Sequence, residues 1–265
     1  VNYTVQAGDT TSDLTNGTIA LGTSATLVDA GGTAMSSFTL TGNSLGANKA
    51  LVLDTTDPTM TITSTTAGVT DGSTTNDSSI ALTFTASEAT SNFAAEDITV
   101  SGGSLSNFAS TSTTVYTATF TPTASGATTI DVAVDKFTDA AGNDNTAATQ
   151  FNWTYDGTAP TITSITSDLA NGTYTVGQVI DLDITFSEAV TLAGTNGLEI
   201  TLTMDGDDRV VDLQPFSDSA TATVNYTVQA GDTTSDLTNG TIALGTSATL
   251  VDGVGNAMSS FTLTG

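Results

Sequence analysis

The chain has 265 residues and a formal net charge of −25, from 28 acidic residues against three Lys and Arg residues, and it contains neither His nor Cys. The missing thiols exclude disulfides and Cys-bound zinc, and the missing imidazole removes the commonest general base. The charge opposes binding to nucleic acid and to an anionic membrane surface, because both are negative. Calcium, a hard ion that prefers carboxylate and carbonyl oxygen, is a metal that such a chain can still bind.

The start of the chain returns at its end. Residues 224–265 repeat residues 1–42 with three differences, which are Ala30 against Gly253, Gly31 against Val254 and Thr33 against Asn256. A long period of this kind is typical of tandem arrays, in which each repeat contacts its neighbours. We therefore expect the chain to be a window on a longer array, with its first residue in mid-strand.

Apolar residues alternate with small or polar ones along most of the chain, and clusters of Gly, Asn, Asp and Ser separate the runs. This alternation indicates strands with one buried face, and short strands at this spacing predict an antiparallel β-sandwich. No stretch has the period of an amphipathic helix. The alternating apolar positions are, in chain order, Ile80, Leu82 and Phe84; Tyr116, Ala118 and Phe120; Ile130, Val132 and Val134; Ile180, Leu182, Ile184 and Phe186; Leu198, Ile200, Leu202 and Met204; Val224, Tyr226 and Val228.

Two similar linkers divide the chain. Residues 54–59 (DTTDPT) and 156–161 (DGTAPT) both begin with Asp and end with Pro-Thr. Proline cannot donate to a strand ladder, so it fits where a linker enters an edge strand. We predict that residues 1–53 are the C-terminal half of one module and that residues 54–155 are a complete module. Residues 156–265 then form a module of the first type without its last strand.

The half-module is expected to need a partner. Residues 1–53 alone would hold three or four strands with half a core exposed, and such a piece is not stable by itself. Its end, residues 43–53, supplies the ending that residues 156–265 lack. Either neighbouring sequence or strand addition from an adjacent chain would complete it.

Short runs in the two later pieces resemble bacterial Ig-like repeats. In the middle piece these are residues 83–89 (TFTASEA), 97–108 (DITVSGGSLSNF) and 137–143 (FTDAAGN), and in the last piece they are 184–190 (ITFSEAV), 226–232 (YTVQAGD) and 251–256 (VDGVGN). The resemblance implies an all-β, tandem Ig-like or cadherin-like series of antiparallel β-sandwiches in an elongated array. It also implies the extender region of a giant adhesin of the type I-secreted kind, outside the cell on the bacterial surface, with calcium between modules.

The topology of such a sandwich places the implied calcium. In a seven-strand sandwich the entry linker, the turn after the second strand and the turn before the last strand lie at the same end. The candidate ligands are Asp54, Asp57, Glu88, Asp139 and Asn143 at the first linker, and Asp156, Glu188, Asp252 and Asn256 at the second. The turn that holds Asp71, Asn76 and Asp77 would face the second linker.

A plainer interpretation is that Asp, Asn and Gly simply form good turns. Against it, Glu is a poor turn residue, yet Glu88 and Glu188 hold equivalent places. Thr33 stands where the later copy has Asn256, so the junction of the N-terminal copy is expected to be weaker or differently built.

The expected function is mechanical. Without His or Cys, catalysis would need paired carboxylates in a cleft, so an enzyme is not expected. The leading hypothesis is a calcium-stiffened stalk that projects a distal ligand-binding region. One alternative is the repeating subunit of a self-assembling extracellular filament or sheath, because Thr-rich faces with little Lys leave strand edges unprotected. Another alternative is that the modules themselves bind glycan or host protein.

The expected partners are neighbouring repeats of the same chain and, in a filament, other copies. No nucleic acid partner is expected. No membrane insertion is expected in this segment either, because no apolar run approaches the roughly 20 residues that span a bilayer.

Overall fold

The computed structural model describes residues 2–40, 42–90 and 92–263. The described residues are nearly all β or irregular. They form a first sandwich, residues 60–155, and a second sandwich, residues 162–258, each around its own hydrophobic core. The predicted all-β sandwich class is thereby confirmed. None of the helices in the described residues is long and apolar enough to cross a membrane.

The first sandwich contains eight strands in two sheets. They are β1 (Met60–Ser64), β2 (Ser73–Thr75), β3 (Ile80–Ala86), β4 (Ile98–Ser101), β5 (Gly103–Ser110), β6 (Val115–Pro122), β7 (Gly126–Val132) and β8 (Phe151–Tyr155), with a 3-10 turn at Ala95–Asp97. One sheet has the order β1-β3-β6-β5 and the other β2-β8-β7-β4. The short strand β2 is one strand more than the prediction, and it pairs with β8 in parallel rather than antiparallel.

Alternation along the strands builds the core of the first sandwich. Ile80, Leu82 and Phe84 of β3 point inward and are each at most 1% exposed. From the other sheet Trp153 is also 1% exposed, and its indole N–H donates to Thr75 Oγ1 at 3.1 Å. Removing these large side chains from water is the main favourable contribution to folding.

The second sandwich contains seven strands. They are β9 (Ile162–Thr166), β10 (Val179–Ala193), β11 (Leu198–Thr203), β12 (Arg209–Leu213), β13 (Phe216–Thr227), β14 (Thr238–Leu244) and β15 (Thr249–Asp252). The first sheet has the order β13-β10-β15, with β9 also on β10, and the second has β12-β11-β14. Strand β10 pairs with three strands. Its pairing with β13 shifts register between Thr185 and Val190. On its other edge, β10 pairs with β9 before this shift and with β15 after it.

The N-terminal region does not form the predicted strands. Its described residues, 2–40 and 42–53, contain the one-turn helix α1 (Leu45–Asn48) and isolated bridges at Thr11–Leu53 and Val28–Ala34. The expectation of three or four strands is wrong there, because no facing sheet covers the apolar side chains. Leu27 is 50% exposed, whereas Leu250, its counterpart in the second copy, is 1% exposed.

Two smaller expectations also differ from the structure. Val134 was predicted to continue an alternating strand, but it is 52% exposed since β7 ends at Val132. Helix α1 lies in a segment where no helical period was predicted, and one turn is too short to show one. The division of the chain into three modules stays a prediction.

Substitutions in the two cores should separate their stabilities. Phe84→Ala should destabilise the first sandwich by about 3–5 kcal/mol, because it leaves a large cavity. The chain has a single Trp, so the fluorescence of Trp153 during urea unfolding reports on the first sandwich. The matched change Ile200→Ala, in the second core, should leave that midpoint nearly unchanged, since distant sites act independently. Equal shifts with both variants would contradict separate cores.

Candidate metal centre

A carboxylate near the end of each sandwich organises a tight loop. Asp139 Oδ1 accepts hydrogen bonds from the backbone N–H groups of Ala141, Gly142 and Asn143 at 2.7–2.9 Å. Gly142 has a φ of +94°, which a residue with a Cβ rarely adopts. Asp139 is only 7% exposed. Charge-assisted hydrogen bonds of this kind hold its buried carboxylate in place.

The side chain of Asn143 joins this loop to the linker. Its Nδ2 donates to Asp139 Oδ2 at 2.8 Å and to the backbone carbonyl of Asp54 at 3.1 Å. The amide nitrogen, not the amide oxygen, therefore faces the carboxylates. Through this nitrogen, which cannot bind a cation, Asn143 holds the loop and the linker in place. Its role as a metal ligand stays a prediction.

The second sandwich repeats this geometry, although the residues around its Asp differ from those around Asp139. Asp252 Oδ1 accepts from the N–H groups of Val254, Gly255 and Asn256 at 2.7–2.9 Å. Asn256 Nδ2 donates to Asp252 Oδ2 at 2.8 Å and to the carbonyl of Asp156 at 2.9 Å. The same clamp thus forms at both linkers.

A pair of hydrogen bonds positions each glutamate. Thr59 N–H donates to Ser87 Oγ at 2.9 Å, and Ser87 N–H donates back to the Thr59 carbonyl at 2.9 Å. Thr161 and Ser187 make the same reciprocal pair, at 3.0 and 2.9 Å. Glu88 and Glu188, the next residues, are held beside the linker in this way. Glu188 lies in the irregular part of β10, and irregular pairing is a common way to re-aim a side chain.

These elements bring together three carboxylates at each linker. One carboxylate oxygen from each of Asp54, Glu88 and Asp139 lies within 4.8 Å of the other two. The same holds for a second triplet, Asp156, Glu188 and Asp252. We name these groups the first and second triplets. The described residues contain one salt bridge, between Arg209 and Asp232. Within that part of the chain, therefore, no basic side chain forms a salt bridge with either triplet.

Residues 54–155 match the family profile of the bacterial Ig-like domain. The match covers the whole first sandwich and less than half of the chain. Within this matched region the first triplet joins the entry linker to the loops after β3 and β7. No curated protein matches the chain.

A search of solved structures returns an adhesin, InvE of Yersinia pseudotuberculosis, at 16% sequence identity. The alignment covers 71% of this chain and 58% of the adhesin chain, with a TM-score of 0.26.

Not every predicted ligand joins its group. Asp57 is exposed and lies outside the first triplet, and the second linker has Ala159 at the corresponding place. Asp71 accepts from the backbone N–H of Asn152 at 2.7 Å. Asn152 is near the start of β8, whereas the second linker follows the end of β8, so Asp71 does not face this linker as predicted. Asn76 does reach it, because its Nδ2 donates to Asn256 Oδ1 at 3.3 Å.

The structure also brings together a third group, which the sequence analysis missed. Asp168, Asp181 and Asp183 offer oxygens within 4.8 Å of one another. Neighbouring donors already bind them, since Ser167 Oγ donates to Asp181 at 2.6 Å and Thr223 Oγ1 donates to Asp183 at 2.6 Å. Only the register between β9 and β10 could have revealed this group.

The pKa values of the carboxyl groups in the triplets shift in opposite directions. Burial, with repulsion from Asp54 and Asp139, raises the pKa of the Glu88 carboxyl above its usual value of 4.5. Burial and repulsion from Asp252 and Asp156 raise the pKa of Glu188 in the same way. Burial alone would also raise the pKa of Asp139, but the hydrogen bonds from Asn143, Gly142 and Ala141 outweigh it and lower that pKa below 3.8.

These directions predict opposite effects of two neutral substitutions in EDTA. Since the folded-state pKa of Glu88 is raised, its charge costs stability at neutral pH, and the cost disappears as the pH falls through that pKa. Glu88→Gln should therefore raise the melting temperature of the first sandwich by a few degrees at pH 7 and by less at pH 5. Trp153 fluorescence during thermal unfolding measures both values.

Asp139→Asn should act in the other direction. The folded-state pKa of Asp139 is lowered, so its charge stabilises the fold above pH 3.8, and this stability is lost as the pH falls through the folded-state pKa. The variant should melt several degrees below the wild type at pH 7. The matched change Glu188→Gln, in the second sandwich, should leave the Trp153 transition in place. A lower melting temperature for Glu88→Gln would contradict this electrostatic account.

Proposed function

We propose that this chain is a structural repeat of a bacterial surface protein, in which calcium at the linkers stiffens a stalk that carries a distal ligand-binding region. The observation that carries the proposal is the recurrence of one carboxylate triplet at the same place on two sandwiches with different sequences. The match of residues 54–155 to the bacterial Ig-like domain supports a structural rather than an enzymatic role.

The triplets have the chemistry that calcium requires. Calcium binds oxygen at about 2.3–2.6 Å, so two ligands on opposite sides of one ion lie about 4.6–5.2 Å apart. In each triplet, one oxygen from each carboxylate lies within 4.8 Å of the other two. Three carboxylates supply part of the six to eight oxygens that calcium prefers, and backbone carbonyls and water can supply the rest. Burial raises the pKa of both glutamates, and repulsion from the neighbouring Asp carboxylates raises it further. A divalent cation would neutralise the negative charge that causes this repulsion.

The position of each triplet supports stiffening. Asp54 and Asp156 belong to the linkers, whereas the Glu and the other Asp of each triplet belong to the sandwich that follows the linker. Without a cation the three carboxylates repel one another, which favours separation of the linker from the sandwich. At the second linker the bond from Asn76 to Asn256 also joins the two sandwiches, so a cation there would restrict their relative motion.

Calcium should raise the melting temperature of the chain. A ligand at 100 times its Kd adds about 2.7 kcal/mol to the native state, which corresponds to roughly 10–20 °C for a domain of this size. Glu88→Ala should abolish the shift of the first sandwich, read by Trp153, and Glu188→Ala should abolish the shift of the second, read by calorimetry. Titration calorimetry should give two sites.

Asp57→Asn is the matched control. It removes an acidic residue three positions from Asp54 but outside the first triplet, so the calcium shift should remain. An unchanged melting temperature in calcium, or an equal loss with Asp57→Asn and Glu88→Ala, would overturn calcium binding at the triplets.

Stiffening requires a separate measurement. Small-angle scattering of the full chain should give a narrower distribution of distances and a better defined maximum dimension in calcium than in EDTA. Glu188→Ala should make the two curves alike, since the second triplet lies between the sandwiches. Calcium binding without any change in scattering would support the sites and overturn the stiffening.

A further inference from the structure

The long strand β13 has a free edge in the second sandwich. It pairs with β10 on one side and is the last strand in the order β13-β10-β15. In the first sandwich the corresponding strand β6 pairs with β3 on one side and with β5 on the other. Among the described residues of the second sandwich, no strand takes the place that β5 holds in the first.

The path of the chain between the two sheets causes this difference. After β4 the chain crosses into the other sheet at Gly102, which has a φ of +74°, and Gly103 lies so close to Phe120 that a Cβ would not fit. After β11, in contrast, residues 205–208 (DGDD) form a turn and β12 returns beside β11. All residues from 198 to 227 are described, so the free edge follows from the topology of the sandwich itself.

Alternate residues of β13 direct their backbone groups to the free edge. Val228, just after the strand, donates its N–H to the carbonyl of Gln178, just before β10, at 2.9 Å. Hydrogen-bonded residues alternate along an antiparallel pair, and the register of β13 with the first part of β10 is regular. The residues whose backbone N–H and C=O groups face away from β10 are therefore Thr221, Thr223, Asn225 and Thr227.

The side chain of Ser219 occupies one of these positions. Its Oγ donates to the carbonyl of Thr221 at 2.7 Å and accepts from the N–H of Thr221 at 3.3 Å. These bonds agree with backbone groups of Thr221 that point away from β10. Within the described part of the chain, no contact outside the β10–β13 pair bonds to the backbone of Thr223, Asn225 or Thr227. These three residues therefore offer their N–H and C=O groups to a further strand.

The edge lacks the features that usually prevent such pairing. Natural edge strands are blocked by Lys, Pro, bulges or charged side chains. In the first sandwich the outer strand β5 is irregular, because Asn107 has a φ of +52° and the register with β6 shifts between Ser106 and Ala109. Between Asp218 and Asp232, in contrast, the chain contains neither a charged residue nor Pro.

Apolar surface also lies open along this edge. A groove of about 430 Å³ runs beside β13, and the half-buried residues Phe216, Ala222 and Val224 are among those that line it. In the first sandwich β5 supplies Leu105 and Phe108, which pack against the core. A further strand on β13 would cover its apolar side chains in a similar way, and this burial would favour pairing.

We infer that β13 of a second copy of this chain pairs with this edge, antiparallel, about a two-fold axis at Asn225. Asn225 lies opposite the partner's Asn225, and Thr223 lies opposite the partner's Thr227. The axis repeats the second pair, so three residue pairs exchange two backbone hydrogen bonds each. The partner's Val228 lies opposite Ala222, at the groove.

Ser219 selects this register. A pair centred on Val224 would place Thr221 opposite the partner's Thr227, but the backbone of Thr221 is already bonded to Ser219 Oγ. Centring on Asn225 uses only the residues whose outward groups are free. The contact is isologous, so it closes with two copies and forms no longer chain of copies.

The edge is complementary to itself, which favours a second copy as the occupant. Thr residues opposite one another form favourable cross-strand pairs. The nearest carboxylates in the register, Asp181 and Asp183, lie on β10 opposite Asn225 and Thr223. Three strand spacings, about 14 Å, separate them from those of the partner. This distance exceeds the Debye length of about 8 Å at physiological salt, so the acidic charge of the chain does not oppose pairing here.

Sedimentation velocity of the full chain in EDTA tests the inference. With rising concentration, the wild type should form a species of twice the 26.6 kDa of one chain. Asn225→Lys and Asn225→Asp should each weaken association at least tenfold, because like charges then meet at the two-fold axis. A mixture of these two variants should associate again, since opposite charges meet there.

Thr203→Lys is the matched control. Thr203 is an exposed residue of β11, and both edges of β11 are already paired, so the same added charge should leave association unchanged. Ser219→Ala should strengthen association, because it frees the backbone of Thr221 for the ladder. A chain that is monomeric at every concentration, a mixture of the Asn225 variants that does not associate, or equal weakening by Thr203→Lys and Asn225→Lys would overturn the inference.

Crosslinking tests the register without relying on charge. The chain has no Cys, and a hydrogen-bonded antiparallel pair has Cα atoms about 5.5 Å apart, which suits a disulfide. Asn225→Cys should therefore give a linked dimer on oxidation, whereas Thr221→Cys should not, since it lies opposite the partner's Gln229. No disulfide with Asn225→Cys, or equal linking by both variants, would contradict this register. Neither residue belongs to a triplet, so the result is independent of calcium binding.

Discussion

In the described part of this protein, strands form where a second strand pairs with them and a facing sheet covers their apolar side chains. Residues 2–40 and 225–263 differ at three positions, yet β14 and β15 form only in the second copy. There the long strand β10 pairs with β15, and β11 pairs with β14. In the N-terminal copy no described strand stands opposite, and the apolar residues stay exposed.

The carboxylate triplets combine a stabilised and a destabilised group. Asp139 is buried, yet the hydrogen bonds that it accepts from Asn143, Gly142 and Ala141 lower its pKa. Burial, with repulsion from Asp54 and Asp139, raises the pKa of Glu88. A loop that binds one carboxylate tightly therefore holds the others close enough to repel. The clamp by Asn143 keeps the linker within reach of this charge. The proposed calcium site therefore rests on carboxylates that repel one another while the hydrogen bonds of Asn143 hold the loop and the linker together.

Much of this arrangement could be predicted from the sequence. Alternation indicated most of the buried positions, and strand direction in a sandwich indicated that Asp54, Glu88 and Asp139 would converge. Spacing could not show that Asn143 presents its nitrogen, because that depends on the carbonyl of Asp54 lying within reach. Spacing also could not show that Asp57 lies exposed outside the first triplet. Nor could it show that Asp71 accepts a hydrogen bond from Asn152. The grouping of Asp168 with Asp181 depends on strand register, which alternation alone leaves open.

The sequence by itself determined the short loops. Asp29 in the N-terminal copy accepts from the N–H groups of Gly31 and Thr33 at 2.9 Å. Asp252 accepts from the equivalent residues, Val254 and Asn256, although only this second copy lies in a sandwich. Such bonds join residues at most four positions apart, so the local chain suffices. Only the tertiary structure decided which copy forms strands and which carboxylates meet. Asp156 and Asn256 are 100 positions apart, and contacts at that separation form only when burial of a common core offsets the entropy of ordering the chain between them.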